Sequence, residues 1–495
     1  MNLIDRFLQV VALNPAAPAC IFNSQVISRE MFHQLTCKIA IELHARGVAP
    51  GEVLGISMNH SPAHLATILA LARLGAVSLP VDPNITEGAK KRLMDRYGAQ
   101  RLVCQKGDLT PKDVTSIALE IGSIDSQSKL NLRFIAYWPD SKTPARIGLT
   151  SGTTGNPSAI LYTHEYWLDR IDAFMSFDRF NQQSRSMPSD LHLTLGSLSA
   201  FGALFAGGVV VFHRLGDLQS FVTGINLHGV THVVMPPIRI KKLVSQLPHE
   251  GIAFPKIEFL RIVGGGLNQH LVELATRKIS PNIYLPYGTS EMGAISVATP
   301  EMLHSHPDCT GRLRPGFELQ AVDPDGHVLA AGEPGELRAR SPMMPQGYYL
   351  DEERTAQRFR DGWFMTRDFG FITSDGMVKI EGRVDDKINL GGLKFYPELV
   401  EGVLNEHPEV KESAVFLMDD QAQSKILVAV VVPNHKPPLT LKLVDYCQQK
   451  KLGNMTPARF VLVRELPRNP MGKIIRSMLP ELLKKKPSAQ SPSVI

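Results

Sequence analysis

A short loop of hydroxyl-bearing residues and glycines is the strongest local signal in this sequence of 495 residues. Glycines let a backbone approach a ligand closely, and neighbouring N–H groups and hydroxyls form a cradle for phosphate oxygens. The glycine spacing and the lysine of a Walker A motif are absent, so the loop predicts a phosphate site of another kind. This predicted phosphate loop consists of Thr150, Ser151, Gly152, Thr153, Thr154 and Gly155.

A second group of reactive side chains follows the strand-like segment N-I-Y-L-P at 282–286. It places an aromatic face, hydroxyls and a carboxylate at one strand end, where ligands of α/β sheets collect. Carboxylate oxygens are ligands that Mg²⁺ prefers, so Glu291 is a candidate metal ligand. The group consists of Tyr287, Gly288, Thr289, Ser290 and Glu291.

Three further segments carry charged residues: T-R-D at 366–368, G-R-V-D-D at 382–386 and P-R-N-P-M-G-K at 467–473. Each is weak alone, but the order of all these motifs resembles the adenylate-forming superfamily. That superfamily contains acyl- and aryl-CoA synthetases, the adenylation domains of nonribosomal peptide synthetases and beetle luciferases. The segments at 45–83 and 335–349 are also similar to it, so the resemblance covers essentially the whole chain.

The resemblance implies an enzyme that joins a carboxylic acid to AMP, releases pyrophosphate and then passes the acyl group to a thiol. Adenylation gives the carboxylate a good leaving group, while Mg²⁺ and hydrogen-bond donors stabilise charge on the phosphates. By similarity, the phosphate loop holds the β- and γ-phosphates of ATP, Ser290 contacts the α-phosphate and Glu291 binds Mg²⁺. Gly288 and Thr289 complete this part of the ATP site.

The same resemblance implies roles for residues around the adenosine. Tyr287 stacks on adenine, and Asp368 accepts hydrogen bonds from both ribose hydroxyls with help from Arg383. The backbone beside the adenine belongs to Gly264, Gly265 and Gly266.

Lys473 matches the family's catalytic lysine, which bridges the carboxylate and the α-phosphate. One mobile cation can hold both anions together as they react. In the family the C-terminal domain then rotates about a hinge, which maps onto Asp385. The rotation removes Lys473 and brings in a loop that contains Gly391 and Gly392, which are implied to line the tunnel for the thiol.

Three positions depart from the family pattern. Ser158 stands where a lysine is usual, which removes a cation from the terminal phosphates and predicts weaker ATP affinity without loss of the chemistry. Arg367 replaces the glycine of the T-G-D motif, where it either clashes with a tight turn or replaces some of the lost charge. The region that often reads P-x-[FW]-H is aligned with 196–200, which has only small or apolar residues.

Small and apolar residues are predicted to line the acyl pocket, which suits a fatty or aryl acid. No acidic residue lies between Leu191 and Phe212, so an α-amino acid would leave its buried ammonium unpaired. The predicted pocket walls are Ser199, Ala200, Gly202, Gly265, Gly266 and Met292.

The acceptor thiol and the activity itself leave alternatives open. The first is an acid–CoA ligase, an enzyme of fatty acid metabolism or related pathways. The second is a free-standing adenylating enzyme that loads the phosphopantetheine of an acyl carrier protein. The third is a non-catalytic nucleotide-binding relative, which the loss of lysine at Ser158 would explain. A separate zinc site at His304, His306 and Cys309 lacks an evident fourth ligand.

The elements that position these motifs alternate between helix and strand, as in a parallel sheet covered by helices. Turns become dense after about residue 311, which indicates an antiparallel β region, and helices return after 386. We predict an α/β fold: a large N-terminal domain, 1–384, has two β/α subdomains plus a small β-barrel. A small mobile α+β C-terminal domain, 385–495, follows the hinge at Asp385 and ends in a frayed tail, 484–495.

Charge, apolar stretches and cysteine content indicate the partners and the cellular location of the protein. The net charge of +5, from 53 basic and 48 acidic residues, gives no basic footprint for nucleic acid. The longest apolar stretch, 198–212, is shorter than the roughly 18–20 residues of a membrane-spanning helix. The sequence has five cysteines without a C-x-x-C pair, which favours a reducing, cytoplasmic location.

Overall fold

A computed structural model describes residues 1–108, 110–119, 138–150, 157–214, 217–247, 251–264, 269–306, 309–419, 425–434, 438, 440–468 and 473–483. The helices are α1 (Leu3–Leu13), α2 (Arg29–Ala45), α3 (Pro62–Arg73), α4 (Glu87–Arg96), α5 (His164–Asp178), α6 (Thr194–Phe205), α7 (Leu218–His228), α8 (Pro237–Gln246), α9 (Gln269–Lys278), α10 (Pro300–Ser305), α11 (Glu352–Arg358), α12 (Pro397–Asn405), α13 (Thr440–Gln449) and α14 (Leu479–Leu482). Within these ranges, no helix is both long and apolar enough to cross a membrane.

The strands of the first part of the chain are β1 (Pro18–Phe22), β2 (Gln25–Ser28), β3 (Val53–Ser57), β4 (Val77–Pro80), β5 (Arg101–Gln105), β6 (Thr115–Leu119), β7 (Pro144–Leu149), β8 (Ala159–Thr163), β9 (Arg185–Met187), β10 (Val209–Val211), β11 (His232–Met235), β12 (Phe259–Ile262), β13 (Ile283–Thr289) and β14 (Gly293–Ala298). The later strands are β15 (Arg312–Leu313), β16 (Glu318–Val322), β17 (Gly335–Arg340), β18 (Phe359–Arg360), β19 (Trp363–Ile372), β20 (Val378–Arg383), β21 (Ile388–Leu390), β22 (Leu393–Phe395), β23 (Val410–Asp419), β24 (Lys425–Pro433) and β25 (Arg459–Leu462).

Two largely parallel sheets form the framework of the large part of the molecule. The six-stranded sheet has the order β6-β5-β3-β4-β7-β8, and the nine-stranded sheet has the order β15-β14-β13-β12-β11-β9-β10-β1-β2. Strands β10, β9, β11, β12 and β13 are parallel neighbours, so their carboxyl ends share one edge. The predicted alternation of helix and strand is therefore present. It places the segments that follow these parallel strands at one edge of the sheet, where ligands of such sheets bind.

The dense turns after residue 311 belong to a separate antiparallel sheet. This five-stranded sheet has the order β16-β17-β19-β18, with β20 paired to β19. Its own apolar core includes Phe317, Leu337 and Phe364. The sheet is the predicted antiparallel β region, and it carries the segments T-R-D and G-R-V-D-D on the adjacent strands β19 and β20.

The last part of the chain has apolar cores of its own. One core joins α12 and α13 to the sheet β23-β24-β25 and includes Val400, Leu443 and Ala429. A second core on the other face of this sheet includes Val430 and Leu479. As the sequence predicts, Pro397 begins α12 and Glu398 lies in its first turn, where its negative charge interacts favourably with the helix dipole.

A buried ion pair between Asp178, at the end of α5, and Arg261, on β12, is a large stability determinant. Their side chains are 3% and 4% exposed, and Arg261 Nε donates to Asp178 Oδ2 at 3.2 Å. Replacing Asp178 by alanine would leave a buried guanidinium unpaired, so we expect the free energy of unfolding to fall by about 3–5 kcal/mol. Urea denaturation measures this change. Asp172→Ala removes a half-exposed pair with Arg6 and should cost less than about 1 kcal/mol; equal losses would contradict the prediction.

Candidate active site

The ends of the predicted phosphate loop are held together after β7. The backbone N–H of Thr150 donates to the carbonyl oxygen of Ser158 at 2.8 Å, and the N–H of Ser158 donates to Thr150 Oγ1 at 3.2 Å. Ser151, Gly152, Thr153, Thr154 and Gly155 lie outside the described residues. The described ends therefore continue the antiparallel pairing of β7 with β8 on either side of the predicted phosphate ligands.

Tyr287, Asp368 and Arg383 come together from β13, β19 and β20. The Tyr287 hydroxyl donates to Asp368 Oδ2 at 2.9 Å, and Arg383 Nη1 donates to Asp368 Oδ1 at 2.9 Å. The Asp368 N–H in turn donates to Thr366 Oγ1 at 3.1 Å. Burial and the neighbouring Asp368 raise the pKa of Tyr287 well above its usual value, which keeps its hydroxyl protonated as a donor.

This arrangement suits recognition of a diol. Each oxygen of the Asp368 carboxylate has a protein donor, and each keeps a lone pair for one further donor such as a ribose hydroxyl. The guanidinium of Arg383 fixes the orientation of the carboxylate through a charge-assisted bond. Gly264, with φ of +93°, lies two residues after the end of β12, the strand that pairs with β13. Gly265 and Gly266 lie outside the described residues.

Glu291 is a buried carboxylate without a cationic partner among the described residues. Its side chain is 7% exposed, and Tyr348 donates to Oε1 at 2.6 Å. Arg170 does not touch the carboxylate but donates to the backbone carbonyl oxygens of Glu291 at 2.6 Å and Ser290 at 3.2 Å. A buried anion that has one oxygen fixed by a neutral phenol fits a divalent cation as its counter-charge.

The turn that presents Glu291 depends on a glycine. A Cβ at Gly288 would lie 1.8 Å from the carbonyl oxygen of Gly293, so no other residue fits without moving the backbone. Thr289 Oγ1 accepts from the N–H of Met292 at 3.2 Å and stabilises the same turn. The segment thus places the hydroxyl of Ser290 and the carboxylate of Glu291 at the end of β13.

Lys473 is within electrostatic reach of Asp368 and Arg383. Burial, followed by the charge of Arg383, lowers its pKa, while Asp368 and Asp386 act in the opposite direction. The ammonium is therefore close enough to the Asp368–Arg383 pair to feel both charges. Asn469, Pro470, Met471 and Gly472, which precede it, lie outside the described residues. The role that the resemblance implies for Lys473 in the adenylation step stays a prediction.

An ion pair with Arg367 holds the predicted hinge residue, Asp385. Asp385 belongs to a single 3₁₀ turn, Val384–Asp386, and accepts from Arg367 Nη2 at 2.5 Å. Arg367 has φ of +60°, a conformation that favours glycine, and it also pairs with Glu336 at 3.5 Å. Arg367 thus fits the turn at some backbone strain, and its charge faces acids at the hinge.

Gly391 and Gly392 form the exposed turn between β21 and β22, with φ of +58° and +91°. No atom lies within 4 Å of a Cβ built at either position. The turn therefore faces solvent in this conformation, and its predicted place at the thiol tunnel would require a different domain arrangement.

Ser199, Ala200 and Gly202 on α6 are packed inside the fold. The hydroxyls of Ser199 and Ser186 lie 2.8 Å apart, and a Cβ at Gly202 would meet Met175 at 3.4 Å. Met292 lies elsewhere, in the core of the five-stranded sheet. The predicted place of these four residues in the acyl pocket stays a prediction.

The sequence prediction missed a group of polar residues that lies just before and beside α6. His192 forms an ion pair with Asp190 at 2.9 Å and lies 3.6 Å from Asp82. Burial opposes charging of His192, but the hydrogen bond to Asp190 and the charges of Asp190 and Asp82 together outweigh it and raise the pKa. The sequence signal that could have found this group is His192, which lies four residues after Pro188. The histidine of the pattern P-x-[FW]-H lies three residues after its proline.

A cation from another part of the chain lies next to Ser158. Arg354, on α11, donates from Nη1 to Ser158 Oγ at 2.5 Å. Ser158 is buried at the base of the phosphate loop, so this guanidinium lies beside the loop where the sequence lacks the usual lysine. The departure at Ser158 thus meets a cation from a distant part of the sequence.

Family models match most of the chain. The model described as AMP-binding enzyme matches residues 7–349, and the model described as AMP-binding enzyme C-terminal domain matches residues 399–473. A curated relative, the 4-chlorobenzoate–CoA ligase of Arthrobacter sp, is 29% identical over 470 residues, with 90% of this chain and 88% of the relative covered. The fatty acid–[acyl-carrier-protein] ligase ScoC of Streptomyces coeruleorubidus is 26% identical over 491 residues, with 94% and 93% covered.

Solved structures share the fold. O-succinylbenzoate coenzyme A synthetase (MenE) from Bacillus subtilis, in complex with ATP and magnesium ion, has a TM-score of 0.85 and 23% identity. The match covers 96% of this chain and 99% of that chain.

The chain belongs to the AMP-binding enzyme family. The adenylate-forming class predicted from the motif order is confirmed, together with its α/β fold of a large and a smaller part. The predicted enzyme class, an AMP-forming acid–thiol ligase of the acyl-CoA synthetase type that uses ATP, Mg²⁺ and CoA, is confirmed as well.

Proposed function

We propose that this chain activates an aryl or fatty acid as its acyl-adenylate and then transfers the acyl group to the thiol of CoA. The observation that carries this proposal is the hydrogen-bonded group of Tyr287, Asp368 and Arg383, whose charges also act on Lys473. A cation at this place lies next to the ribose, where the α-phosphate of a bound nucleotide must follow. The relatives of the chain include a ligase for an aromatic acid, which favours an aryl substrate.

The residues of the chain divide the adenylation step among them. Asp368 and Arg383 hold the ribose, Tyr287 covers the adenine, and Lys473 binds the carboxylate oxygen and the α-phosphate at once. This shared contact brings the two anions within reacting distance and offsets their repulsion. Glu291 would hold Mg²⁺, which neutralises triphosphate charge when it is bound.

The second half-reaction would use the smaller domain in another orientation. We place the domain boundary at the hinge, with 1–384 before it and 385–495 after it. The separate apolar cores of the last part support a rigid-body rotation about Asp385. Such a rotation would withdraw Lys473 and carry the exposed turn at Gly391 and Gly392 to the thiol tunnel.

The ion pair of Arg367 with Asp385 is expected to slow this rotation. Arg367→Gly removes the pair and the strained backbone, and half-exposed pairs contribute about 0.2–1 kcal/mol. We therefore expect the single-turnover rate of acyl transfer to CoA to rise about two- to fivefold, with adenylation unchanged. Asp385→Asn removes the same pair from the other side and should reproduce the effect. A variant that slows both half-reactions alike would contradict this role.

A carrier protein is the second candidate acceptor, since the relative ScoC acts on an acyl carrier protein. Pyrophosphate release should be measured with a panel of aryl and fatty acids, followed by product analysis with CoA or with a phosphopantetheinylated carrier protein. Acyl-CoA formation supports the proposal, and acylation of the carrier alone favours the alternative. No release with any acid at saturating ATP indicates the non-catalytic relative.

We also propose that the enzyme works in the cytoplasm. The cysteines Cys20, Cys37, Cys104, Cys309 and Cys447 are free thiols, as expected in a reducing compartment.

A further inference from the structure

Two histidines near the shared strand edge are buried without hydrogen-bond partners among the described residues. His60 follows β3 and His213 follows β10, and they are 8% and 6% exposed. Neither ring nitrogen of either residue has a partner. Their ring centroids lie 5.7 Å apart, and His60 also packs on Phe212 at 4.9 Å. Buried polar atoms are normally satisfied, so such a pair indicates that a further group belongs here.

A guanidinium shares this space. Arg239, on α8 just after β11, lies with its Cζ 4.9 Å from the ring centroid of Phe221, which His213 also contacts at 5.2 Å. Burial lowers the pKa of Arg239, and no acid among the described residues counteracts that effect. A partly buried arginine without a carboxylate partner is costly unless an anion joins it.

The nearest acid is already neutralised. Asp190 lies close enough to raise the pKa of His60, but it forms the ion pair with His192. Burial acts to raise the pKa of Asp190, but the hydrogen bond from His192 and the charges of His192, His60 and His64 together bring the pKa to about 2. The pair carries no net charge, so it does not supply the anion that Arg239 lacks.

The sheet order places these residues beyond the nucleotide. Tyr287 is on β13, Arg239 follows β11 and His213 follows β10, in the order β13-β12-β11-β9-β10. With about 4.8 Å between strands, Arg239 lies roughly 10 Å and His213 roughly 19 Å along the edge from Tyr287. An acid attached to the α-phosphate would extend in this direction, with Phe212 and Phe221 available to its apolar part.

We propose that His60, His213 and Arg239 form a subsite for a second carboxylate, at the far end of a dicarboxylic substrate acid. The inference rests on the proposed function and names the substrate class of the same site. Arg239 supplies charge and paired donors that match a carboxylate, and each neutral imidazole supplies one N–H. Burial lowers the pKa of His60 to about 4 and that of His213 further, so both rings are neutral at pH 7.

The test compares acids that differ only in the second carboxylate: terephthalate with 4-methylbenzoate, and adipate with hexanoate. We expect the wild-type enzyme to show at least a tenfold higher kcat/KM of pyrophosphate release for the dicarboxylic acid of a pair. Arg239→Met should reduce this preference at least tenfold, because a single charge-assisted contact is lost. Arg277→Met, at an exposed arginine of α9, is the matched control and should keep the preference.

Equal or better use of the monocarboxylic acids by the wild type would overturn the subsite, and so would an Arg239→Met variant that loses both acids alike. If no acid is converted, the proposed function fails, and thermal denaturation still decides the subsite. Terephthalate should raise the Tm of the wild type more than 4-methylbenzoate does at equal concentration. His213→Phe keeps the aromatic contact with Phe221 and should abolish that difference; a difference that persists would contradict the inference.

Discussion

Replacing Lys473 by alanine is expected to lower the rate of acyl-adenylate formation by about 10²–10³-fold, the effect of removing one preorganised donor from a transition state. The ammonium of Lys473 is within electrostatic reach of Arg383 and Asp368, and it alone is proposed to contact both reacting anions. Quench-flow measurement of pyrophosphate release gives the rate, and nucleotide titration shows whether ATP still binds. Since the ribose and adenine contacts remain, we expect ATP affinity to change much less than the rate.

Lys442→Ala is the matched control for this variant. Lys442 lies in the same domain, where its exposed ammonium pairs with Glu409 at 3.2 Å. It should keep the wild-type rate, and an equal loss in both variants would show that the effect comes from the domain and not from the catalytic cation.

The titration of Lys473 gives this role a pH signature. Burial and then Arg383 lower its pKa, so the charged form exists below that lowered value and is lost as the pH rises through it. Adenylation by the wild type should therefore decline at a lower pH than the usual titration of lysine would give. Lys473→Arg, whose guanidinium stays charged, should retain whatever activity it has across that range. A wild-type rate that stays flat to strongly basic pH would contradict the assignment.

Glu291→Gln is expected to have the second largest effect. Glutamine keeps the shape and can still accept from Tyr348, but it removes the negative charge that would hold Mg²⁺. We expect the rate of pyrophosphate release to fall about 100-fold at a Mg²⁺ concentration that saturates the wild type, as metal stabilisation is worth several kcal/mol. Titration with Mg²⁺ should show a higher concentration at half-maximal rate.

Glu301→Gln tests the specificity of this result. Glu301 lies exposed in the first turn of α10, shortly after the same strand region. It should leave the Mg²⁺ dependence unchanged. If Glu291→Gln loses rate with an unchanged Mg²⁺ dependence and an unchanged Tm, Glu291 is not the metal ligand.

The sequence was most informative where chemistry concentrates in short motifs. Tyr287, Asp368 and Arg383 are far apart in the chain, yet the order of their motifs predicted their meeting, and hydrogen bonds join them. Tyr287 and Arg383 lie near the ends of β13 and β20, and Asp368 lies within β19 where it pairs with Arg383, so sheet topology brings the motifs together. The alternation of helix-like and strand-like segments likewise predicted the two largely parallel sheets.

Residues outside motifs were harder to place. His60, His213 and Arg239 follow strands of two different sheets, and only the packing of the tertiary structure brings them together. The small residues of α6 were predicted to line a pocket, and the structure shows Ser199, Ala200 and Gly202 buried in the fold. A sequence pattern shows that a residue is small and not which neighbour needs the room.

The departures from the family pattern were visible in the sequence, but their partners were not. Arg367 replaces a glycine at a left-handed position and reaches Asp385, and Arg354 reaches Ser158. Both are long-range contacts of flexible side chains, which no local spacing predicts. They explain how two substitutions at motif positions remain compatible with the fold of the site.

Mass spectrometry of the nucleotide species formed on the wild-type enzyme tests the central claim most directly. The enzyme would be incubated with Mg²⁺, ATP and each acid of the panel in the absence of a thiol, and then supplied with CoA. The account predicts an acyl-adenylate with release of pyrophosphate, followed by acyl-CoA and AMP once CoA is added. Intact ATP as the bound species with every acid, and no pyrophosphate, would contradict it.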